Sequence, residues 1–421
     1  MDLLARQGSN APMQSKVSHV IVIVGGRDVT SVLRRLQPDL AITTMVATQR
    51  LWRVKEGRES SRLIALNEST PTDEWVALAR CVHASQPVQG IGAFGEFDQN
   101  RASAIAAAIG LRFHPAEVIE AVYDKALMRR RLRDCGVEDV KSAAVTTVDE
   151  VEAFAAVHGF PLILKPNNGF GSRGVVKLSE PADLAGDLLA TTGLPSEAAV
   201  VEPYLDGPEI SVEAFSEDGE HRILGITRKV KDENFVELGH VVQETTAQDA
   251  PLMKHVARVL DAVGIADGPS HTELILTPAG PRVVETHTRA GGDQIPQLLH
   301  AASGIDLVEL AARQLLGQRV LPMLDEALAA RERPAKAGAI RYLVPPRSGR
   351  LRAVESTAEA AAVPFVTGCT VLKDPDDILT VPIRDSLDRV AYCTAVTADG
   401  PAAMEAAERA VQTLTIVMDE R

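Results

Sequence analysis

The chain has 421 residues, enough for two to four domains rather than one. Apolar residues make up 45% and charged residues 24%, the balance of a soluble globular protein, and a net charge of −13 argues against a nucleic-acid partner. Four scattered cysteines without CxxC spacing (Cys81, Cys135, Cys369, Cys393) suggest neither zinc nor a disulfide framework and read as buried thiols of a reducing compartment. No apolar stretch is long enough for a membrane span, and residues 1–17 lack the apolar core of a secretory signal. These residues read as a loose tail of a cytoplasmic protein that does not engage a membrane.

Residues 18–24 form a continuous apolar run that ends in Gly25-Gly26, as expected of a buried parallel strand and its turn. Further strands are expected at Leu40–Thr44, Arg62–Leu66 and Val88–Phe94, with helices at 73–84 and 98–109. This alternation predicts an open α/β layer over residues 18–112. No GxGxxG dinucleotide fingerprint follows the first strand. Trp52 and Trp75 read as core or interface residues.

A helix is expected over 124–135, with Asp124 as its cap and Gly136 at its end. Its basic run, Arg129 to Arg133, reads as a solvated face. From about 143 the pattern changes to short strands around one helix, 148–158, giving an α+β central part. Residues 161–177 place Lys165 at the end of an apolar strand, before the glycine-rich Gly169-Phe-Gly171-Ser172-Arg-Gly174. Glycines let backbone amides approach an anion closely. GxxxxGK[ST] is missing, so the loop reads as a β-flap closing over phosphates, with Lys165 as counter-charge and Phe170 at its tip. In Val200–Glu213 an acidic, proline-kinked hinge interrupts a strand. Exposed backbone there can read an adenine edge, and Glu209 can take ribose hydroxyls.

Helices are expected at 251–263 and 303–317, on either side of the most informative segment. That segment, 271–289, holds two apolar, β-branched runs about Pro278-Ala-Gly280-Pro281, a hairpin signal. A three-residue loop centred on Ala279 would set Glu273 opposite Glu285. Strand alternation would then put His271, Glu273, Glu285, His287 and Arg289 on one face. Facing like charges destabilise a strand pair unless neutralised, and a hard divalent cation such as Mg²⁺ suits two carboxylates. Arg289 stands where a phosphate or carboxylate would need it. A polar stretch near 331–346 marks a boundary, followed by a small α/β unit with a strand near 389–396 and a helix at 400–413.

Asp124-Lys125, Lys165 with Asn168 to Gly174, Glu202 to Glu209, Glu273, and Glu285-Thr-His287-Thr-Arg289-Ala-Gly-Gly-Asp resemble, in that order, the motifs of the ATP-grasp superfamily. Within it, the Arg-Ala-Gly-Gly-Asp-Gln-Ile-Pro stretch and the long C-terminal unit are most similar to the L-amino-acid ligases, such as dipeptide synthetases and carnosine-synthase-like enzymes. The resemblance implies an ATP-grasp domain over 113–340 with a lid at about 143–203, between an N-terminal α/β domain and a C-terminal domain at 341–421.

It also implies roles. Lys125 and Lys165 would contact ATP phosphates beneath a lid loop, Gly169, Gly171, Ser172 and Gly174. Glu202, Tyr204 and Leu205 would border the adenine, with Glu209 on the ribose. Glu273 and Glu285 would hold Mg²⁺, and Arg289 would grip the reacting carboxylate. The family usually has Asn where this chain has His287, a softer ligand that admits Mn²⁺ or a hydrogen-bonding role. Arg228, Lys229 and His240 would border the substrate pocket, whereas His271 and His300 read as packed histidines. The function implied is ATP-dependent amide formation between a small carboxylic acid and an amine through an acyl phosphate, in a protein that by analogy is a homodimer. The alternatives are a carboxylase or purine-pathway ligase using bicarbonate or formate, and a non-catalytic nucleotide-binding module.

Overall fold

The computed structural model describes residues 17–54, 59–168, 174–185, 198–330 and 336–419. The expected N-terminal layer is present. Strands β1 (His19–Ile23), β2 (Ala41–Ala47), β3 (Arg62–Leu66) and β4 (Gly90–Ala93) pair in parallel in the order β3-β2-β1-β4. Strand β1 is apolar at consecutive positions because both its faces are covered. Ile21 and Ile23 pack against Trp75, Ala79 and Ile105 of helices Thr72–Ser85 and Gln99–Ile109. Val20 and Val22 face the other way, onto Leu33 of helix Thr30–Leu36 and Ala312 of helix Leu307–Leu315.

A four-stranded antiparallel sheet follows, built from β5 (Ala143–Val145), β6 (Leu162–Pro166), β7 (Val176–Leu178) and β8 (Ala199–Pro203) in the order β5-β8-β6-β7. Helix Val148–His158 covers it, starting at a capping box formed by Thr147 and Glu150.

The largest sheet has eight strands. It contains β9 (Glu209–Glu217), β10 (Glu220–Lys231), β11 (Glu237–Glu244), β12 (Gly268–Thr277), β13 (Gly280–His287), β14 (Ala337–Leu343), β16 (Val366–Val371) and β18 (Ala391–Thr397), in the order β13-β12-β9-β10-β11-β14-β18-β16. The sheet therefore runs across residue 340: strands of the C-terminal segment continue the central sheet, and β14 is one of its inner strands. A separate small sheet joins β15 (Gly349–Glu355), β17 (Ile378–Leu379) and β19 (Thr415–Met418). Among the described residues no helix is long and apolar enough to cross a membrane.

Three local expectations are corrected. The helix expected over 303–317 starts later, at Leu307, because Gly304 with φ 82° ends the preceding helix Ile295–Ser303 and Asp306 caps the next through Val308 N and Glu309 N. The hairpin turns on two residues rather than three, since Thr277 pairs with Gly280. That register alone would set Val284 opposite Glu273. A bulge at Val284 restores the pairing of Glu273 with Glu285 and of His271 with His287. Finally, Cys81 and Cys135 are exposed, and of the four cysteines Cys393 is the buried one.

Candidate active site

A cavity of about 940 Å³ opens where the N-terminal layer, the four-stranded sheet and the large sheet meet. Its floor is the β12–β13 hairpin, whose two glutamates both line it. Their like charges are balanced by cations from other elements. Lys229 Nζ donates to Glu273 Oε1 at 2.5 Å, and Lys125 Nζ lies 3.0 Å from Glu285 Oε2. Lys125 is the first residue of helix Lys125–Asp134, which Asp124 caps as expected by accepting from Leu127 N. Burial opposes ionisation of both carboxyls, yet Lys229 and His271 hold Glu273, and Lys125 and His287 hold Glu285, well below the usual carboxylate range.

The histidines are part of the same charge lattice. His271 pairs through Nδ1 with the buried Glu213 at 2.5 Å and through Nε2 with Glu273 at 3.1 Å. Burial would lower its pKa, but these carboxylates raise it to about 9. His287, expected as a metal ligand, turns Nε2 to Glu285 at 3.1 Å and Nδ1 toward Glu96 at 3.4 Å. With both ring nitrogens facing carboxylates it is placed as a cationic bridge between Glu96 and Glu285. Burial and Arg289 work against that charge, and the two carboxylates outweigh them.

Arg289 lines the cavity and forks onto Glu96, a residue of the N-terminal layer that the sequence did not single out. The Glu96 carboxyl is pulled down to about 2, against its burial, by His287 and Arg289.

Lys165 also lines the cavity, on β6, where it donates to Glu202 of the adjacent β8. Glu202, expected beside adenine, is buried between Lys165 and Arg129 Nη2, the latter at 3.0 Å. Those two cations bring its pKa to about 2 despite burial. Burial, Arg129 and Lys125 together push the Lys165 ammonium below its ordinary value even with Glu202 beside it. Arg129 is thus no solvated residue: it is buried and bridges Glu202 to Glu138 at 2.9 Å. The i, i+4 spacing from Lys125 was the available signal that these two cations share a helix face.

Tyr204, Leu205 and Glu209 line the cavity, with Lys177 3.8 Å over the Tyr204 ring and Glu209 2.6 Å from Lys231. Gly174 has φ 75°, a conformation that suits glycine. Gly169, Phe170, Gly171 and Ser172 lie outside the described residues. Arg228 is not brought to the site: strand alternation turns it to solvent and turns Lys229 into the cavity. His240 is buried against Asp293, 3.2 Å away. Asp293 in turn is gripped by Arg389 at 2.6 and 2.8 Å, a contact joining residues far apart in the chain that no local pattern announced.

The donor set suits a hard divalent ion. Both hairpin glutamates present oxygens to the cavity, and Glu209, Glu237 and Glu273 each offer a carboxylate oxygen within 4.8 Å of the others. The ammonium of Lys229 sits among these three, at 3.1, 2.7 and 2.5 Å, a cation already in an acidic cage.

Two stretches match known families: residues 158–297 the ATP-grasp domain, and residues 341–419 the L-amino acid ligase C-terminal domain 2. Residues 158–297 thus belong to the ATP-grasp domain family. A further likeness is to L-amino acid ligases. An L-amino acid ligase from Bacillus licheniformis has a crystal structure superposing with a TM-score of 0.80 over 97% of this chain and 100% of that one, at 19% identity. Alanine–anticapsin ligase of Bacillus subtilis (strain 168) is 25% identical over 229 residues, 48% of each chain. The uncharacterized protein y4rH of Sinorhizobium fredii is 30% identical over 306 residues, 71% of this chain. This chain covers 62% of the length of y4rH and 48% of the alanine–anticapsin ligase.

Proposed function

We propose that the protein is an ATP-dependent carboxylate–amine ligase that joins a small acid, such as an amino acid, to an amine. The observation that carries this reading is the convergence of Glu273, Glu285, Lys125 and Arg289 on one cavity, bordered by Tyr204, Leu205 and Glu209. Binding of adenine alone would need neither the paired glutamates nor the arginine.

A free carboxylate is a poor acyl donor because oxide is a poor leaving group. Its oxygen therefore attacks the γ-phosphorus of ATP, and the bond to the β–γ bridging oxygen breaks to release ADP. The amine nitrogen then attacks the acyl carbon of the resulting acyl phosphate. Phosphate departs with the C–O electron pair, and the nitrogen loses a proton. Phosphoryl transfer of this kind is mostly positioning and charge stabilisation.

Lys125 and Lys165 would steady the phosphates. Arg289, exchanging Glu96 for substrate, would hold the reacting carboxylate and then the tetrahedral oxyanion. Glu273 and Glu285 would hold Mg²⁺, which when bound offsets negative charge on the triphosphate. The likeness to L-amino acid ligases and to alanine–anticapsin ligase supports an amino acid as one substrate.

The test is ADP and phosphate release screened against pairs of amino acids and other small acids with amines, with mass spectrometry of the products. Glu285→Gln and Arg289→Ala are expected to lower turnover by about 10²- to 10³-fold or more while the thermal midpoint stays near wild type. EDTA should stop release and added Mg²⁺ restore it. Wild-type turnover in either variant would refute the assignment, and stimulation by bicarbonate or formate in place of amino acids would favour a carboxylase or purine-type ligase.

A further inference from the structure

Lys165 and Glu285 reach the cavity from different sheets, Lys165 on β6 and Glu285 on β13. A single buried carboxylate is tied to the surroundings of both. Glu138 follows helix Lys125–Asp134, and its two oxygens serve two different partners. Oε1 accepts from Arg129 Nη1 at 2.9 Å, and Oε2 accepts from the backbone N–H of Val283 at 3.0 Å. The Glu138 side chain is only 1% exposed, and the sequence did not single it out.

On the first side, Arg129 Nε donates to Glu202 Oε2 at 3.0 Å, and Lys165 donates to Glu202 Oε1. Glu138, Arg129, Glu202 and Lys165 thus form a buried line of alternating charge that ends at a cavity-lining ammonium. On the second side, β13 is the outermost strand of the large sheet, and Val283 stands one residue before the bulge at Val284. That bulge sets Glu285, rather than Val284, opposite Glu273, and a slip of one residue would exchange them. An anchor on the Val283 N–H therefore fixes the register of Glu285.

Glu138 is itself firmly placed. The amides of Val137 and Glu138 reach back to Leu132 O at 2.8 and 3.4 Å, and Arg258 donates to Gly136 O at 2.6 Å. Burial raises the pKa of the Glu138 carboxyl against the pull of Arg129 and the Val283 amide. A carboxylate this deep is costly unless its oxygens are used, and here both are. Glutamine offers one acceptor oxygen, so a neutral isostere cannot serve both partners. We propose that Glu138 is a positioning residue that holds Lys165 and Glu285 in fixed relation, setting the phosphate side of the nucleotide site against its Mg²⁺ side. This rests on the roles given to Lys165 and Glu285 in the ligase reading above.

The test is direct binding of a fluorescent, nonhydrolysable ATP analogue, with Mg²⁺ and separately in EDTA. Glu138→Gln is expected to raise the Kd in Mg²⁺ by about 10- to 100-fold, the usual worth of a group that orients a metal ligand. In EDTA, where the Lys165 side alone is read, a smaller rise should remain. Glu138→Asp, which keeps two acceptor oxygens, should fall between wild type and Glu138→Gln, and it decides the matter if Glu138→Gln does not fold. A merely structural role would lower the thermal midpoint and leave the Kd at its wild-type value well below that midpoint, which would overturn the proposal. In Lys165→Met, adding Glu138→Gln should raise the EDTA Kd no further, because the residue being positioned is gone. A full additional rise would also overturn it.

Amide formation is scored separately. If no acid and amine pair gives product while the Kd shifts appear, the ligase reading fails and the role of Glu138 stands. Product from wild type with an unmoved Kd in both variants would keep the ligase reading and refute that role. Where product forms, Glu138→Gln should raise the KM for ATP and leave the KM for the amine unchanged. A rise confined to the amine would refute the proposal, and failure of wild type to bind the analogue with Mg²⁺ would refute both readings.

Discussion

Lys229 and Arg228 are adjacent in sequence and opposite in environment. Lys229 sits among three carboxylates and is held well above its ordinary pKa by Glu273, Glu237 and Glu209 against the pull of burial. Lys229→Met would remove the cation the three share, leaving Lys231 on Glu209 and His271 on Glu273, and should cost about 3 kcal/mol in urea unfolding. Arg228→Ala, on the solvent face, should change stability by no more than about 0.5 kcal/mol. A second residue-scale prediction concerns acid. Glu202 falls from an ordinary 4.5 to about 2 in the fold. Above pH 4.5 the carboxylate is ionised in both states and its pairing with Lys165 and Arg129 contributes in full. As the pH drops through 4.5 toward 2 the unfolded chain takes up the proton first, and about 3 kcal/mol is lost. Urea midpoints across that range should fall for wild type and be flatter for Glu202→Gln, which starts lower at neutral pH because Arg129 and Lys165 lose their partner.

At the scale of elements, the β12–β13 hairpin shows how much a local pattern can reveal. Two apolar runs about Pro-Ala-Gly-Pro, read as a three-residue loop centred on Ala279, paired Glu273 with Glu285. That reading did not find the route, a tighter turn compensated by the bulge at Val284. Turn length and bulge trade against each other without changing which residues face, so the face could be read before the backbone path. Helix Lys125–Asp134 was legible from Asp124 and Gly136, while the burial of Arg129 depended on Glu138 and Glu202, which approach from outside the helix. The hinge between β8 and β9 carries its own test. Gly207 has φ 148°, and a Cβ there would lie 2.3 Å from Leu276 O. Gly207→Ala should lower stability by about 1–3 kcal/mol and raise the KM for ATP as Tyr204 and Leu205 are displaced, measurable by thermal melting and steady-state kinetics.

Across the whole molecule, the cavity is closed from both ends of the chain. Glu96 reaches Arg289 from the N-terminal layer, and Arg389 reaches Asp293 from the C-terminal segment. The N-terminal sheet is also completed by a remote helix, since Ala312 and Leu316 pack on Val20, Val22 and Ile42. A fragment lacking residues 17–112 would expose those side chains together with Val308 and Leu315. It should elute as aggregate in size-exclusion chromatography rather than as a folded ligase core.

Strand and helix periods, helix caps and the facing acids are short-range matters, settled by side chains within a few residues of one another. They suffice for an α/β layer, a β-rich centre, a Lys165 at the end of its strand and an acidic hairpin. Which cation answers which carboxylate is a different kind of question. Lys229, Glu96 and Arg389 acquire their partners only when strands and loops distant in sequence are brought together. Coulombic pairing in a buried cavity depends on distances of a few ångströms, and no pattern of neighbours along a chain encodes those.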